Sequence, residues 1–368
     1  MNVEWDDIRS NKGTFEKLGS GGFGTVYKTS SLNLPGEAPE LAVKIYKRKA
    51  GAINASSFES LINVRERLKR EEPKRCEKLD SMFTWPLALV TDEGRAKGIV
   101  MNLIPGKYFG TSSLPMTQGK TVERNLGHVM DDGEISGWGP LPTDTKLEIL
   151  REIAYALAFL HNLGDKSSGN VNSSRGIVYG DISANNILCS VDGKTEIMFV
   201  DCDSVRKMGS QAPTGRQAHT PDWEPPEAQE AAKKLRRLDK SHPDYQFRKN
   251  KYQDAWSRQT AATDIYKFGL VFLRVIDSGR GASVRTDPTE AKRKVSASLG
   301  ALLDASLSTN PKERPAMREW VAALGGPVGK SRRSRQQASP KAAVKYINKQ
   351  GDFVQLPSGI WIRDPGSQ

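Results

Sequence analysis

A glycine-rich segment at residues 18–28, LGSGGFGTVYK, constrains the fold of this chain more than any other feature. Gly19, Gly21 and Gly24 have G-x-G-x-x-G spacing, which lets backbone amides approach phosphate oxygens without side chains in the way. In a dinucleotide-binding fold such a loop opens into a helix. Here the residues TVYK continue as a strand, in which Val26 can cover a flat base. The segment therefore excludes the dinucleotide-binding fold and favours a β-hairpin that covers a nucleotide.

The flanking residues predict a small N-terminal sheet with one helix. Residues 14–48 alternate apolar and polar side chains around the glycines, which indicates a hairpin followed by a third strand. Residues 56–71 carry apolar side chains near helical spacing, and the later segments LALV and GIVMNLIPG are typical of two further strands. We expect the helix to pack on the sheet.

A second, mainly helical region is predicted to begin near Thr143. The segment TDTKLEILREIAYALAFLHNLG has the pattern of an amphipathic helix that ends at Gly164, and two short strands follow the polar residues 165–176. Residues 106–142, rich in Gly, Ser, Thr and Pro, indicate a long loop or insert. Further helices are predicted near residues 228–238, 262–277, 290–306 and 315–324.

Charge and cysteine content limit the class of protein. Lysine and arginine number 55 against 43 acidic residues, a net charge of +12, and the stretch from Gly325 to Lys349 has seven basic residues and no acid. Without interleaved aromatic residues such a run favours a solvated basic tail over contact with nucleic acid, and FVQLPSGIWIRDPG near its end is a candidate hairpin. Three cysteines without metal-ligand spacing indicate neither disulfides nor zinc, and no apolar stretch could span a membrane. We expect a cytoplasmic protein.

One charged residue interrupts the apolar strand LAVKIY. Lys44 needs an anion there, because an unpaired ammonium among apolar side chains is costly. Nucleotide phosphates could supply the anion, together with Glu59 in the helix that follows. Glu66 on the same helix is the alternative partner. Without the glycine loop, Lys44 would be interpreted as a surface lysine of an edge strand.

The segment VYGDISANNIL places an acid and an amide five residues apart between apolar flanks. Asp181 could accept a hydroxyl proton and Asn186 could hold a divalent metal, a combination that suits phosphoryl transfer. Asp201 follows the apolar strand IMFV, where a second carboxylate could bind Mg²⁺ next to the β- and γ-phosphates. The alternative for either aspartate is an ordinary turn residue after a strand.

In this order, the glycine loop, the strand lysine, D-x-x-x-x-N and the strand aspartate resemble the motifs of eukaryotic-like protein kinases. The segment HTPDWEPPE, residues 219–227, is similar to the end of a kinase activation segment, with Thr220 as its P+1-loop threonine. The resemblance implies an ion pair between Glu227 and the late arginine Arg314. It also implies that Asp264, in the segment TDIYKFGLVFLRVI, hydrogen-bonds the backbone of the catalytic loop.

The resemblance spans residues 14–324 and implies an α+β, bilobal protein-kinase-like fold, with an antiparallel sheet and one helix in the N-lobe and a mainly helical C-lobe. The implied organisation is an N-lobe at 1–104, a C-lobe at 105–324 with inserts near 106–142 and 228–262, and a basic tail at 325–368. Such a fold implies ATP and Mg²⁺ as cofactors, with Mn²⁺ as a possible substitute.

The resemblance also implies how the nucleotide would be bound. Met101 corresponds to the gatekeeper position, and Asn102 and Leu103 lie in the hinge whose backbone bonds adenine. Ala42 would line the same adenine site. Lys44 would bind the α- and β-phosphates.

Departures from the kinase pattern at Gly180, Ser183 and Asp203 bear on how the protein would work. Gly180 replaces the arginine before the catalytic aspartate, so activation-loop phosphorylation is not expected to be the on-switch. Ser183 replaces the lysine that steadies the γ-phosphate, and Asp203 replaces the glycine of D-F-G with an acid that could also approach a metal. These variants are similar to those of a divergent bacterial kinase group often linked to von Willebrand A-type proteins and PP2C-like phosphatases, which are the partners that the resemblance implies.

The implied activity is that of a serine/threonine protein kinase acting on a protein partner. Two alternatives remain open: a pseudokinase that binds nucleotide and acts as a scaffold, suggested by the missing lysine and glycine, and a small-molecule phosphotransferase. Retained metal ligands argue against the first, and the P-P-E segment with its distant arginine argues against the second. Candidate autophosphorylation sites are Ser204, Ser210, Thr214, Ser331, Ser334 and Ser339.

Overall fold

The computed structural model describes most of the chain. The described residues are 1–10, 15–47, 53–112, 118–132, 139–163, 176–208, 210, 219–325, 345–348, 351–355 and 361–363. For the last three of these ranges only the backbone is described. Thr214 and the three candidate serines of the tail lie outside them. The chain forms two compact units, Met1–Gly326 and Pro327–Gln368, and the second begins close to where the basic run begins in the sequence.

The N-terminal part of the first unit is built on one sheet. Its strands are β1 (Asn2–Glu4), β2 (Phe15–Ser20), β3 (Gly24–Thr29), β4 (Leu41–Tyr46), β5 (Pro86–Asp92) and β6 (Arg95–Asn102). The strand order is β1-β5-β6-β4-β3-β2, with β1 parallel to β5 and the other neighbours antiparallel. The predicted hairpin and third strand are confirmed. Strand β1 was not predicted, because three residues are too few for a visible alternation.

Different elements cover the two faces of this sheet, because alternate residues of a strand point to opposite sides. The helices of this part are α1 (Trp5–Arg9), α2 (Ala55–Glu71) and α3 (Pro73–Met82). On one face, Ile8 of α1 belongs to the same apolar cluster as Val43 of β4. On the other face, Phe58 of α2 packs with Tyr46 at the end of β4. The face that carries Tyr46 also carries Lys44.

The rest of the first unit is mainly helical. Its helices are α4 (Gly127–Met130), α5 (Thr143–His161), α6 (Pro226–Arg236), α7 (Tyr245–Ser257), α8 (Ala261–Ile276), α9 (Thr289–Arg293), α10 (Ala297–Ser306) and α11 (Met317–Ala323). Helix α8 lies at the centre, packs against α5 and α10, and is buried at every position from Thr263 to Ile276. The Thr260 hydroxyl caps its first turn by accepting a hydrogen bond from the Thr263 amide.

Short antiparallel strand pairs connect these elements. They are β7 (Phe109–Thr111) with β8 (Thr121–Glu123), β9 (Ile177–Val178) with β12 (Arg206–Lys207), and β10 (Ile187–Ser190) with β11 (Glu196–Phe199). The second unit contains an antiparallel sheet of β13 (Lys345–Asn348), β14 (Gly351–Gln355) and β15 (Trp361–Arg363). Strands β14 and β15 flank the segment in which the sequence indicated a hairpin turn.

Several helix boundaries differ from the sequence predictions. The single helix expected at 290–306 is two helices, because Ser296 caps a new one with its hydroxyl on the Leu299 amide. Helix α7 was not predicted because it buries no side chain and so leaves no apolar periodicity. Gly164, the predicted end of α5, lies outside the described residues. In the part of the chain that the structure describes, no helix is both long and apolar enough to cross a membrane.

Candidate active site

The register of the sheet brings four of the predicted nucleotide-binding residues to one face. Val26 lies opposite Lys44, and Ala42 lies opposite Met101. Directly paired residues share a face, as do residues two apart in one strand, so Val26, Ala42, Lys44 and Met101 all point to the side covered by α2. Here the sheet presents an ammonium group among apolar side chains.

The two residues after Met101 lie where strand β6 ends. Asn102 is the last residue of β6 and pairs with Leu41. Leu103 follows it outside the strand and is half-buried. The backbone thus leaves the sheet directly after Met101, whose side chain shares a face with Lys44.

The glycine loop joins β2 and β3 with little side-chain support. The Gly21 amide donates to the Gly24 carbonyl at 2.9 Å, and Lys47 Nζ donates to the Gly21 carbonyl. A Cβ on Gly24 would lie 2.7 Å from the Ile45 carbonyl oxygen, so this position requires glycine. A Cβ on Gly19 or Gly21 would meet nothing within 4 Å. The backbone of the loop is therefore open to an approaching ligand.

Lys44 is buried, with 4% of its surface exposed, and is held by two carboxylates. Its Nζ contacts Asp201 Oδ1 and lies 2.6 Å from Asp203 Oδ2. Burial alone would lower the pKa of Lys44, but the carboxylates of Asp203 and Asp201 outweigh it and hold the pKa above its usual value. Lys44 is therefore a charged ammonium.

The expected ion pair between Lys44 and Glu59 is not present among the described residues. Glu59 is exposed on α2, and Glu66, the alternative, pairs at 3.6 Å with Arg65 of its own helix. The side of α2 that faces the sheet carries Phe58 and Ile62, which are apolar. The acids that hold Lys44 come instead from the segment after β11.

Tyr46 completes this cluster. Its hydroxyl donates a hydrogen bond to Asp203 Oδ1, and its ring lies 5.4 Å from Lys44 Nζ. Burial, followed by the nearby Asp203 carboxylate, raises the pKa of Tyr46 well above its usual value. The hydroxyl therefore keeps its proton and remains a donor to Asp203.

Asp181 and Asn186 form the second half of the site. Asn186 Nδ2 donates to the Asp181 backbone oxygen at 2.8 Å and to its Oδ2 at 3.1 Å. The other carboxylate oxygen, Oδ1, accepts a hydrogen bond from the Thr220 hydroxyl at 2.9 Å. The Asn186 side chain thus closes the tight loop by bonding Asp181, and the Asp181 carboxylate keeps one oxygen in contact with a hydroxyl group, that of Thr220.

Two buried side chains of α8, an aspartate and a lysine, form hydrogen bonds with the backbone of this loop. Asp264, fully buried in α8, accepts hydrogen bonds from the Tyr179 amide at 2.8 Å and the Gly180 amide at 2.9 Å. Lys267, one turn further along α8, donates to the Gly180 carbonyl at 2.6 Å. Gly180 has φ +83°, a conformation that favours glycine. The predicted contact of Asp264 with the backbone of the loop that carries Asp181 is confirmed.

Backbone contacts join the two halves. The Val200 amide donates to the Asn186 carbonyl at 3.0 Å, and the Tyr179 hydroxyl donates to the Val200 carbonyl. The next residue, Asp201, has φ +61°, and its side chain is 49% exposed. Lys44, Asp201, Asn186 and Asp181 therefore lie along one chain of contacts.

The segment that carries Thr220 is anchored after that residue, at Asp222–Trp223 and at Glu227. Arg314, with a fully buried side chain, forms a two-pronged ion pair with Glu227, at 2.8 and 2.7 Å. The Arg274 guanidinium stacks 4.3 Å from the centre of the Trp223 ring and donates to the Asp222 carbonyl. The predicted pairing of Glu227 with Arg314 is confirmed.

The residues of this site suit a divalent metal bound together with phosphate. Asp201 offers a half-exposed carboxylate, and Asn186, whose backbone carbonyl bonds the Val200 amide, carries an amide oxygen as a second candidate ligand. Within the described ranges, no group of three or more His, Cys, Asp or Glu side chains is arranged to hold a metal ion. Mg²⁺ does not require such a group, because it is commonly held by one or two protein oxygens with water and phosphate supplying the rest.

Sequence reasoning missed three contributors. Asp203 appeared only as a possible metal ligand, whereas it holds Lys44. Tyr46 and Lys267 were not singled out at all, although each is a polar residue inside an apolar run, LAVKIY and TDIYKFGLVF, and that pattern was a usable signal.

Cys202 is buried, and burial raises its thiol pKa, which supports a packing role.

Comparison of the chain with protein-family models gives no match, and comparison with curated proteins gives no significant match either. The function must therefore be inferred from the geometry of the site.

Proposed function

We propose that this protein is an ATP- and Mg²⁺-dependent protein kinase that transfers the γ-phosphate to serine or threonine hydroxyls of a protein partner. The observation that carries the proposal is a chain of contacts: Lys44 contacts Asp201, the adjacent Val200 amide bonds the Asn186 carbonyl, and the Asn186 side chain bonds Asp181. These four side chains supply a fixed cation, two oxygen ligands and a base, which is the set that phosphoryl transfer needs. In this proposal the six-stranded sheet forms the N-lobe and the mainly helical region forms the C-lobe.

Each group has a distinct role. The Lys44 ammonium would neutralise the α- and β-phosphates, while the open backbone of the glycine loop at Gly19 and Gly21 would contact phosphate oxygens. Asn186 and Asp201 would hold Mg²⁺, which would neutralise charge on the β- and γ-phosphates. Asp181 would orient the acceptor hydroxyl and accept its proton.

The Thr220 hydroxyl supports the role given to Asp181. It donates to Asp181 Oδ1 at 2.9 Å, which is the hydrogen bond that an acceptor serine or threonine would have to make. Because Thr220 lies in the segment anchored by Glu227 and Arg314, the loop beside Asp181 is fixed enough to align a peptide. This arrangement favours a protein acceptor over a small molecule. We propose as partners the von Willebrand A-type and PP2C-linked proteins that the resemblance implies.

A scaffold function is the second candidate, and the position of Ser183 favours it. Ser183 stands where a kinase would carry a cationic side chain, and it is buried, with 3% of its surface exposed. A serine carries no charge to stand in for that lysine, which would slow transfer. Nucleotide binding without turnover would support the scaffold.

Phosphate transfer from labelled ATP tests the proposal. We expect the purified chain with Mg²⁺ to label itself or a generic protein acceptor, and the Asp181→Asn variant to lose that labelling by about 100-fold or more. Asp254→Asn, the same change at an exposed position on α7, should match the wild type. Equal labelling by Asp181→Asn and the wild type would contradict the proposal, and labelling of sugars or aminoglycosides but not of protein would point to a small-molecule phosphotransferase.

A further inference from the structure

Asp203 differs from Asp201 in how fully its carboxylate is used. The Asp201 side chain is 49% exposed and contacts Lys44 through one oxygen. The Asp203 side chain is 12% exposed, with one oxygen 2.6 Å from Lys44 Nζ and the other accepting from the Tyr46 hydroxyl. Asp201 therefore has a free side for a cation, whereas Asp203 is turned inward and bonded at both oxygens.

The helix α2 offers no substitute for this contact. Its residues nearest Tyr46 are Phe58 and Ile62, both buried and apolar, and Glu59 points to solvent. Phe58 and Ile62 already fill the contact with the sheet while Glu59 is exposed, so a carboxylate of α2 could reach Lys44 only if the helix rotated and that apolar contact were displaced.

We propose that Asp203, held by Tyr46, is the positioning residue for Lys44, and that α2 has no part in orienting the ammonium. This inference rests on the proposed kinase function and deepens it. Asp203 uses one of the three ammonium donors permanently, which fixes where the remaining donors meet the nucleotide phosphates. Asp201 is then the acid free to turn from Lys44 towards a metal.

The proposal has a regulatory consequence. In kinases whose lysine is oriented by a glutamate of the neighbouring helix, movement of that helix switches the site on and off. Here the orienting acid is two residues from the proposed metal ligand, on the same segment. A partner that shifts α2 would leave Lys44 in position, so regulation is expected to act on the 201–204 segment instead.

Three variants test whether Asp203 and Tyr46, or an acid of α2, position the Lys44 ammonium. Asp203→Asn removes the charge and keeps the shape, Tyr46→Phe removes a single hydroxyl, and Glu59→Gln makes the same acid-to-amide change on α2. One readout is kcat and KM for ATP. The other is independent of activity: the NMR signals of the Lys44 side chain in protein carrying ¹³C,¹⁵N-lysine, assigned with Lys44→Arg, which report whether the ammonium is held in one position.

We expect Asp203→Asn to lower kcat by roughly 10- to 100-fold, with a smaller change in KM, because a mispositioned group costs most in the transition state. Its Lys44 signals should become those of a mobile side chain. Tyr46→Phe should change both readouts in the same direction by less, and it carries the test if Asp203→Asn does not fold. Glu59→Gln should match the wild type in both.

Two results would overturn the inference: wild-type kcat and wild-type Lys44 signals in Asp203→Asn and Tyr46→Phe, or a loss in Glu59→Gln as large as that expected for Asp203→Asn. Failure of the kinase proposal would look different. In that case the wild type itself would transfer no phosphate, while the Lys44 signals would still report whether Asp203 and Tyr46 hold the ammonium.

Discussion

The two loops of the candidate site are held in opposite ways. Residues 179–186 pack on α8, where Asp264 accepts hydrogen bonds from two of their backbone amides and Lys267 donates one to a backbone carbonyl. Residues 19–23 are exposed and are held mainly by hydrogen bonds to the backbone of Gly21 and Phe23. The loop that would perform the chemistry is therefore pre-organised by buried charges, whereas the loop that would cover phosphate depends on its ligand for further order.

Removing the Asp264 carboxylate should have the largest effect on stability. In Asp264→Ala the amides of Tyr179 and Gly180 would be buried without an acceptor, and Lys267 would lose a nearby negative charge. We expect the free energy of unfolding to fall by roughly 3–5 kcal/mol, measured by urea denaturation. Asp254→Ala on α7 is the exposed control and should change it little. A loss for Asp264→Ala no larger than the control's would show that α8 does not support the loop.

Acid should weaken the same buried region through His219. Burial, reinforced by the neighbouring charges of Lys267 and Arg206, lowers the pKa of His219 from 6.5 to about 3. Because the unfolded chain takes up a proton on this histidine below pH 6.5 and the native protein does not, its contribution is complete above that pH and is lost as the pH falls towards 3.

Between pH 7 and pH 5 the loss from His219 should be about 2 kcal/mol, measured by denaturation at each pH. His219→Gln should remove that part of the pH dependence, while His242→Gln, at a more exposed histidine, should keep it. Identical pH dependence in the wild type and His219→Gln would mean that His219 is not held neutral.

Two positions of the glycine loop should respond differently to the same substitution. Gly24→Ala would bring a methyl group against the Ile45 carbonyl, so we expect a loss of roughly 1–3 kcal/mol in the free energy of unfolding. At Gly22 a Cβ meets nothing within 4 Å, and Gly22→Ala should change that free energy by about 0.5 kcal/mol or less. Equal effects at both positions would show that the loop is not anchored at Gly24.

Much of the site could be predicted from the sequence, because its motifs are local. The spacing of Asp181 and Asn186, and of the three glycines, identified residues that are brought together by a single loop or hairpin. The pairing of Glu227 with Arg314, 87 residues apart in sequence, came from the family resemblance and not from spacing.

The partner of Lys44 could not be predicted by the same means. An acid of α2 was expected, but which side of α2 faces the sheet is decided by how Phe58 and Ile62 pack, and a sequence pattern does not determine that rotation. Asp203 was visible only as a departure from a motif, and its role depends on the backbone turn at Asp201, where φ is +61°. Helix α7 escaped prediction for a simpler reason, since it buries no side chain.

The most direct measurement is the effect of Mg²⁺ on ATP affinity, determined by calorimetry with EDTA and then with Mg²⁺. If Asp201 and Asn186 are the metal ligands beside Lys44, the wild type should bind ATP more tightly with Mg²⁺, and Asp201→Asn and Asn186→Ala should lose most of that gain. Lys44→Met should weaken binding in both conditions while keeping the gain. An undiminished Mg²⁺ effect in Asp201→Asn and Asn186→Ala would contradict the assignment of a nucleotide and metal site to these residues.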